Sequence, residues 1–277
     1  MVGGPNVHGG ENMNGDTESM LQVNLTGKIA VIIGGTGSIG QAIAISFARS
    51  GATVIVAGRS KPRKDSELML ECKKNKNISF LPVNVLEESS VRDLADRITD
   101  KYKRVDILVL AQGQQIRKPF HNLTLEEWNS VISTNLTGTF LVCKHFAKLM
   151  MKNKYGKIIG ITSLTSMFGI RNISSYAASK GGMQQFLKTL ALELAAYNIN
   201  VNMIAPGRIK TRMTKDIFQD QNLKKSTLRC IPMKRFGLPS DLIGAVFFLA
   251  SDMSNYMTGQ TIVIDGGWLA CMGNPIS

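Results

Sequence analysis

Tyr176 and Lys180 stand four residues apart in SSYAASKGGMQQFLKTLALELA, a spacing that puts both side chains on one face of a helix. A phenol with a pKa of ~10 is a poor acid at neutral pH unless a nearby cation stabilises the phenolate, and Lys180 is placed to supply that charge. Ser163 ends the preceding apolar run, KIIGITS, thirteen residues before Tyr176. A hydroxyl, a phenol and an ammonium group brought together at a strand end could polarise a carbonyl and exchange a proton with it. Y-x-x-x-K alone is a weak signal, and its meaning depends on what surrounds it.

The second group is Gly34-Gly35-Thr36-Gly37-Ser38-Ile39-Gly40, between the apolar run KIAVII and a helical stretch. Glycines in such a turn allow positive φ and close approach of the backbone to a pyrophosphate, whose charge then meets the N–H groups of the helix start. Two registers fit: G-x-G-x-x-G through Gly35, Gly37 and Gly40, and G-x-x-G-x-x-G through Gly34, Gly37 and Gly40. A glycine-rich bend without a ligand is the plain alternative, and the position after the first strand favours a dinucleotide. The second run, TVIVAGRS, ends in Arg59, where an NAD-selective site places a carboxylate for the ribose 2′-hydroxyl. Arg59, followed by Ser60 and Lys61, could instead grip a 2′-phosphate, so the expected cofactor is NADP(H) in preference to NAD(H).

These groups need a scaffold that sets strand ends side by side. Seven β-branched runs qualify as strands: 28–33, 53–57, 78–83, 106–110, 157–162, 199–205 and 260–265. Helical stretches at 39–50, 90–102, 125–151, 174–197 and 240–251 are long enough for the right-handed crossovers that parallel strands require. The fold class is therefore α/β, a single Rossmann-type doubly wound domain with a seven-stranded parallel sheet over residues 25–277. Residues 1–24, rich in Gly, Asn and acidic residues, read as a flexible leader.

The hydrophobic content of 44% suits a globular domain with a sizeable core. A formal charge of +13 is compatible with nucleic acid, an anionic surface or small acidic ligands. The densest basic stretch, Lys61 to Lys76, also holds Asp65, Glu67 and Glu71, so it reads as a solvated helix face, and no nucleic-acid partner is expected. Cys72, Cys143, Cys230 and Cys271 lie far apart without metal-ligand spacing, which points to no metal, no disulfide framework and a reducing compartment. No apolar run reaches the ~18 residues of a membrane span, and the first 24 residues carry neither basic nor apolar signal regions, so a cytoplasmic protein without membrane attachment is expected.

Taken together, the glycine turn, Asn135 in STNLTG, Ser163, Tyr176-x-x-x-Lys180, Ala205-Pro206-Gly207 and the IDGG at 264–267 resemble the short-chain dehydrogenase/reductase family. The resemblance covers residues 25 to about 270. It implies that Ser163 polarises the carbonyl, Tyr176 exchanges the proton, Lys180 holds the nicotinamide ribose and Asn135 orders a water in the proton relay. Implied cofactor contacts run through Gly34, Thr36, Gly37, Ser38, Ile39 and Gly40, then Arg59, Ser60, Asn84 and Val85. They continue through Ala111, Gln112 and Gly113 to Tyr176, Lys180, Pro206, Gly207, Ile209 and Thr211. Three departures from the family pattern stand out. The middle glycine is shifted to Gly37, N-N-A-G reads Leu110-Ala111-Gln112-Gly113, and the usual adenine-contacting Asp is Asn84.

Within the family, GQQIRKPF (113–120), SLTS (163–166), AYNINVNMIAPG (196–207), MKRFGLPSDLIGAVFFLASD (233–252) and DGGWLA (265–270) are similar to the gluconate 5-dehydrogenase and 2-deoxygluconate (3-deoxyketogluconate) dehydrogenase group. Such substrates carry a carboxylate. Arg117 is the first candidate to hold it beside Ser163 and Tyr176, with Arg171, Arg208, Lys210 and Arg212 in later loops. The expected function is interconversion of a keto and a hydroxy sugar acid, such as 5-ketogluconate and gluconate. A 3-oxoacyl-(acyl-carrier-protein) reductase is the alternative that the basic surface keeps open, and a non-catalytic cofactor-binding regulatory protein is the alternative of another class. The resemblance also implies a homotetramer.

Overall fold

The computed structural model describes residues 23–272 and residue 274, so most of the leader expected at 1–24 lies outside the described residues. Seven strands form one parallel sheet: β1 (Ile29–Ile33), β2 (Thr53–Gly58), β3 (Ile78–Pro82), β4 (Ile107–Leu110), β5 (Gly156–Ile161), β6 (Ile199–Pro206) and β7 (Thr261–Ile264). All seven coincide with the expected runs to within one residue at each end. Nine α-helices connect and cover them: α1 (Ser38–Arg49), α2 (Glu67–Lys74), α3 (Glu88–Tyr102), α4 (Leu125–Ile132), α5 (Gly138–Asn153), α6 (Ser174–Leu194), α7 (Lys215–Gln219), α8 (Gln221–Arg229) and α9 (Ile243–Ala250) among the described residues.

The strand order is β3-β2-β1-β4-β5-β6-β7. The chain winds outward from β1 to β3, then returns to β4 on the other side of β1, and a crevice opens where the direction changes. Ile33 pairs with Leu110, so the ends of β1 and β4 release their following segments side by side.

Alternation along the buried strands feeds two apolar layers, because successive side chains leave a strand on opposite faces. Val31 and Ile33 join α3, α5 and α6 through Val91, Phe146 and Leu187. Ala30 and Ile32 join α1, α2 and α9 through Phe47, Leu68 and Val246. Each large aliphatic or aromatic side chain buried completely in this way contributes about 1.5–3 kcal/mol.

Two segments differ from the sequence expectation. The stretch 125–151, read as one helix, is α4 and α5 joined by a π-helical turn over Ser133–Thr137. Thr124 fixes the start of α4 by accepting from the Glu127 N–H while Glu127 accepts from the Thr124 N–H. Helices α7 and α8, over 215–229, were not anticipated, because their sequence is mostly polar and carries no sustained apolar stripe. Helix α2 does lie within the basic stretch read as a solvated helix face.

At the end of the sheet away from the crevice, Lys157 is 1% exposed. Its ammonium donates to Asn200 Oδ1 at 2.8 Å and Asn255 Oδ1 at 2.7 Å, tying β5 to β6 and to the segment before β7. Burial without a carboxylate partner pushes its pKa down to about 8. No helix among the described residues is long and apolar enough to cross a membrane.

Candidate active site

The carboxyl ends of β1, β4, β5 and β6 enclose a cavity of about 330 Å³, within the size range of small-molecule sites. Its floor is the glycine turn. Gly34 has φ +74°, and a Cβ there would come within 2.5 Å of the Gln112 backbone nitrogen, so only glycine lets the two strand ends approach this closely. A Cβ on Gly40 would run into the Gly34 carbonyl. Gly37 caps α1 with no side-chain acceptor, and the first turn holds no acidic residue. Among the described residues no side chain caps the N–H groups that open this helix, and Ser38, Ile39 and Gly40 line the crevice, which fits the pyrophosphate of a dinucleotide. Arg212, from the segment after β6, reaches back to the turn: its Nη2 donates to Thr36 O at 2.8 Å and its backbone N–H to Ser38 Oγ at 3.3 Å.

Ser163 follows β5 in extended conformation, its Oγ accepting from the Thr165 N–H at 3.2 Å, and it lines the same crevice as Tyr176, near the start of α6. The two residues expected to act on a carbonyl therefore meet. Burial pushes the Tyr176 phenol above its ordinary pKa, while the Ser163 hydroxyl and the Arg208 charge pull it back. Lys180 is 3% exposed and donates to Ile161 O at 2.8 Å, with Nζ 5.9 Å from the Tyr176 ring centroid. Burial pushes it down to about 8. Arg208 adds a charge that lowers the phenol's pKa, beside the Lys180 ammonium to which the sequence had pointed.

Asn135 sits in the π-helical turn, fully buried. Its Nδ2 donates to Gln114 O at 2.9 Å and to Ser179 Oγ at 2.8 Å, and its Oδ1 accepts from Gln114 N at 2.8 Å. The widened turn aims this amide out of the α4–α5 axis toward the segment after β4, a common use of π-bulges. Gln112, where the family pattern has Ala, donates to Thr139 Oγ1 at 2.9 Å, and its buried Oε1 finds no donor among the described residues.

Most of the expected cofactor residues line this crevice: Gly37 to Gly40, Ala111 to Gly113, Tyr176, Lys180, Pro206, Gly207, Ile209 and Thr211. Arg59 and Asn84 line a separate cavity beyond β2 and β3, and Ser60 is exposed beside it. Asn84 is turned toward α3, donating to Glu87 Oε1 at 2.7 Å. Val85 is buried and packs beneath Gly138.

Arg117 does not line the crevice, and its Nε is held by Asp216 of α7 at 3.1 Å. Arg171 and Lys210 are exposed. Arg208, directly after the Pro206-Gly207 pair, does line the crevice and lies over the Trp268 ring at 5.1 Å. Burial and the repulsion of Arg117 lower its pKa to about 10, against the attraction of Asp216 and Tyr176, so it remains charged at neutral pH. Asp216, Trp268 and Ser179 escaped the sequence reading. The only hint was Trp268 directly after the Gly-Gly that ends the last strand run.

A family model described as enoyl-(acyl carrier protein) reductase matches residues 34–269. The 3-oxoacyl-(acyl-carrier-protein) reductase of Chlamydia pneumoniae is 37% identical over 89% of this chain and 99% of its own length. The 5-keto-D-gluconate 5-reductase of Escherichia coli K12 is 35% identical over 90% of this chain and 98% of its own. Among solved structures, a gluconate 5-dehydrogenase from Burkholderia cenocepacia in complex with NADP and tartrate superposes with TM-score 0.85 at 29% identity, covering 91% of this chain and 99% of that one. With its glycine turn, its Ser163–Tyr176–Lys180 grouping and its all-parallel seven-stranded sheet, the chain belongs to the short-chain dehydrogenase/reductase family of oxidoreductases.

Proposed function

We propose that this enzyme interconverts a ketone and a secondary alcohol with NADP(H), on a sugar acid of the ketogluconate class. The observation that carries the reaction type is the grouping of Ser163, Tyr176 and Lys180 in one crevice with the glycine turn. In this reading the Ser163 hydroxyl donates to the substrate carbonyl oxygen and polarises it, and Tyr176 delivers the proton to that oxygen. Lys180, fixed by the Ile161 carbonyl, holds the nicotinamide ribose, and Asn135 holds the segment after β4 in register with α6. When bound, the nicotinamide supplies or takes up the hydride. The uncapped N–H groups at the start of α1 and the Arg212 guanidinium receive the pyrophosphate.

NADP(H) is supported by Arg59, which follows β2 without the carboxylate that would select NAD(H). The sugar-acid substrate is supported by two guanidinium groups, Arg117 and Arg208, at and beside the crevice, and by the names of relatives such as the Escherichia coli enzyme. The test is a panel of ketogluconates and acetoacetyl thioesters assayed with NADPH and NADH on wild type, Arg59→Ala and Tyr176→Phe. Turnover of ketogluconates with NADPH is expected, lowered about 10²–10⁴-fold in Tyr176→Phe. Arg59→Ala should narrow the preference for NADPH over NADH. Equal rates with sugar ketones lacking the carboxylate would sink the substrate assignment. The charge of +13 and the Chlamydia pneumoniae relative favour a second reading, reduction of a 3-oxoacyl carrier-protein thioester. NADPH consumption with acetoacetyl thioesters but not ketogluconates would select it.

A further inference from the structure

Arg208 is the first side chain beyond Gly207, so it leaves the end of β6 into the crevice that holds Ser163 and Tyr176. One face of its guanidinium is covered by Trp268, itself 7% exposed. Its Nε is buried and has no hydrogen-bond acceptor among the described residues. Buried donors in folded proteins are nearly always paired, and a guanidinium has only donors to offer. The nearby carboxylate that could answer it, Asp216, is engaged by Arg117 at 3.1 Å. Two guanidinium groups thus share one carboxylate, which leaves a positive charge without a counterion at the crevice wall. Leu164, Ile170, Ile173 and Met213, which line the same crevice, are apolar and offer Arg208 no side-chain acceptor.

We propose that Arg208 receives the acid group of the substrate, while Arg117 and Asp216 frame the rim. The pairing satisfies the buried donor, balances the local charge and seats the substrate against the Trp268 side of the crevice. Arg208 is then the residue that separates acidic from neutral ketones. This assignment rests on the sugar-acid reading above and deepens it.

The test is calorimetric titration of the NADPH-loaded enzyme with D-gluconate, with sorbitol as its neutral counterpart and with tartrate as an anion that is not tied to any substrate assignment. Wild type, Arg208→Gln, Arg208→Lys and Arg117→Ala are compared, each checked by thermal melting. In Arg208→Gln, gluconate and tartrate binding should weaken about 10- to 100-fold while sorbitol binding changes far less, as expected for loss of a charge-assisted pair. Arg208→Lys, which keeps the charge without the paired donors, should fall between and serves as the test if the Gln variant does not fold. Arg117→Ala should change gluconate binding only a few-fold.

The proposal is overturned if Arg208→Gln binds both anions as well as wild type, if it weakens gluconate and sorbitol equally, or if Arg117→Ala shows the larger loss. Arg208-dependent tartrate binding, together with equal wild-type affinity for gluconate and sorbitol, would uphold the anion site and sink the sugar-acid reading.

Discussion

Burial and charge act on Tyr176 in opposite directions, and the balance sets the pH at which the phenol can give or take a proton. Its pKa is raised overall, so at neutral pH it is protonated, as the proposed role of acid in a reduction requires. Oxidation needs the phenolate and should speed up as pH rises toward that pKa, while reduction should slow. Replacing Arg208 with Gln removes a charge that lowers the pKa, so both limbs should move to higher pH. Lys180, pushed to about 8, gives a separate limb that this substitution should leave in place. Rate profiles in both directions between pH 6 and ~10.5 check this, and an alkaline limb that stays put would show that the Arg208 charge does not reach the phenol. Tyr176, Lys180 and Ser163 were legible because their spacing ties them to a helix face and a strand end. The influence of Arg208 was not, since it depends on Trp268 and Asp216, which approach it only through the fold.

The turn between β1 and α1 is tight for two reasons that substitution can separate. Gly34 and Gly27 have nearly the same backbone, φ +74° and +76°, but a Cβ on Gly27 would meet open space and one on Gly34 would press on Gln112. Gly27→Ala should therefore cost only the left-handed strain of about 1–2 kcal/mol. Gly34→Ala should cost about 1–3 kcal/mol more, from overpacking against backbone that cannot yield. Urea unfolding of the two variants measures the difference, and equal losses would mean that the strand ends can part. The strands themselves were readable from β-branched runs, since burial on both faces demands them. The π-helical turn at 133–137 was not, because the apolar pattern of 125–151 continues through it and only the Asn135 hydrogen bonds explain the extra width.

Among the described residues, two ammonium groups are buried without carboxylate partners, Lys157 at one end of the sheet and Lys180 at the other. Both have pKa values lowered to about 8 from 10.5, so the unfolded chain holds these protons more tightly than the folded one. Their penalty is full below pH 8 and is relieved as pH rises from 8 toward 10.5, which means that stability increases with pH across that window. Between pH 8 and 9 the gain is about 1 kcal/mol per lysine. Cys143 opposes it, because its thiol is pushed up to about 12 and the folded protein resists the ionisation that begins near pH 9 in the unfolded chain. Thermal melting should thus show a higher midpoint at pH 9 than at pH 7, and a lower one would contradict the burial of these lysines.

The crevice has a floor of backbone and walls of side chain. Gly34, Gly40 and Gly207 are positions where even a methyl group would strike main-chain atoms of a neighbouring segment, so the floor has almost no freedom to drift. The walls come from the segment after β6 and from the residues beyond Ser163, where the side chains of Arg208, Ile170 and Met213 line the crevice. Substrate choice can therefore be rewritten while the cofactor cradle is inherited unchanged. That division of labour suits a lineage in which relatives of nearly equal identity, 37% and 35%, are named for a 3-oxoacyl carrier-protein and a 5-keto-D-gluconate substrate.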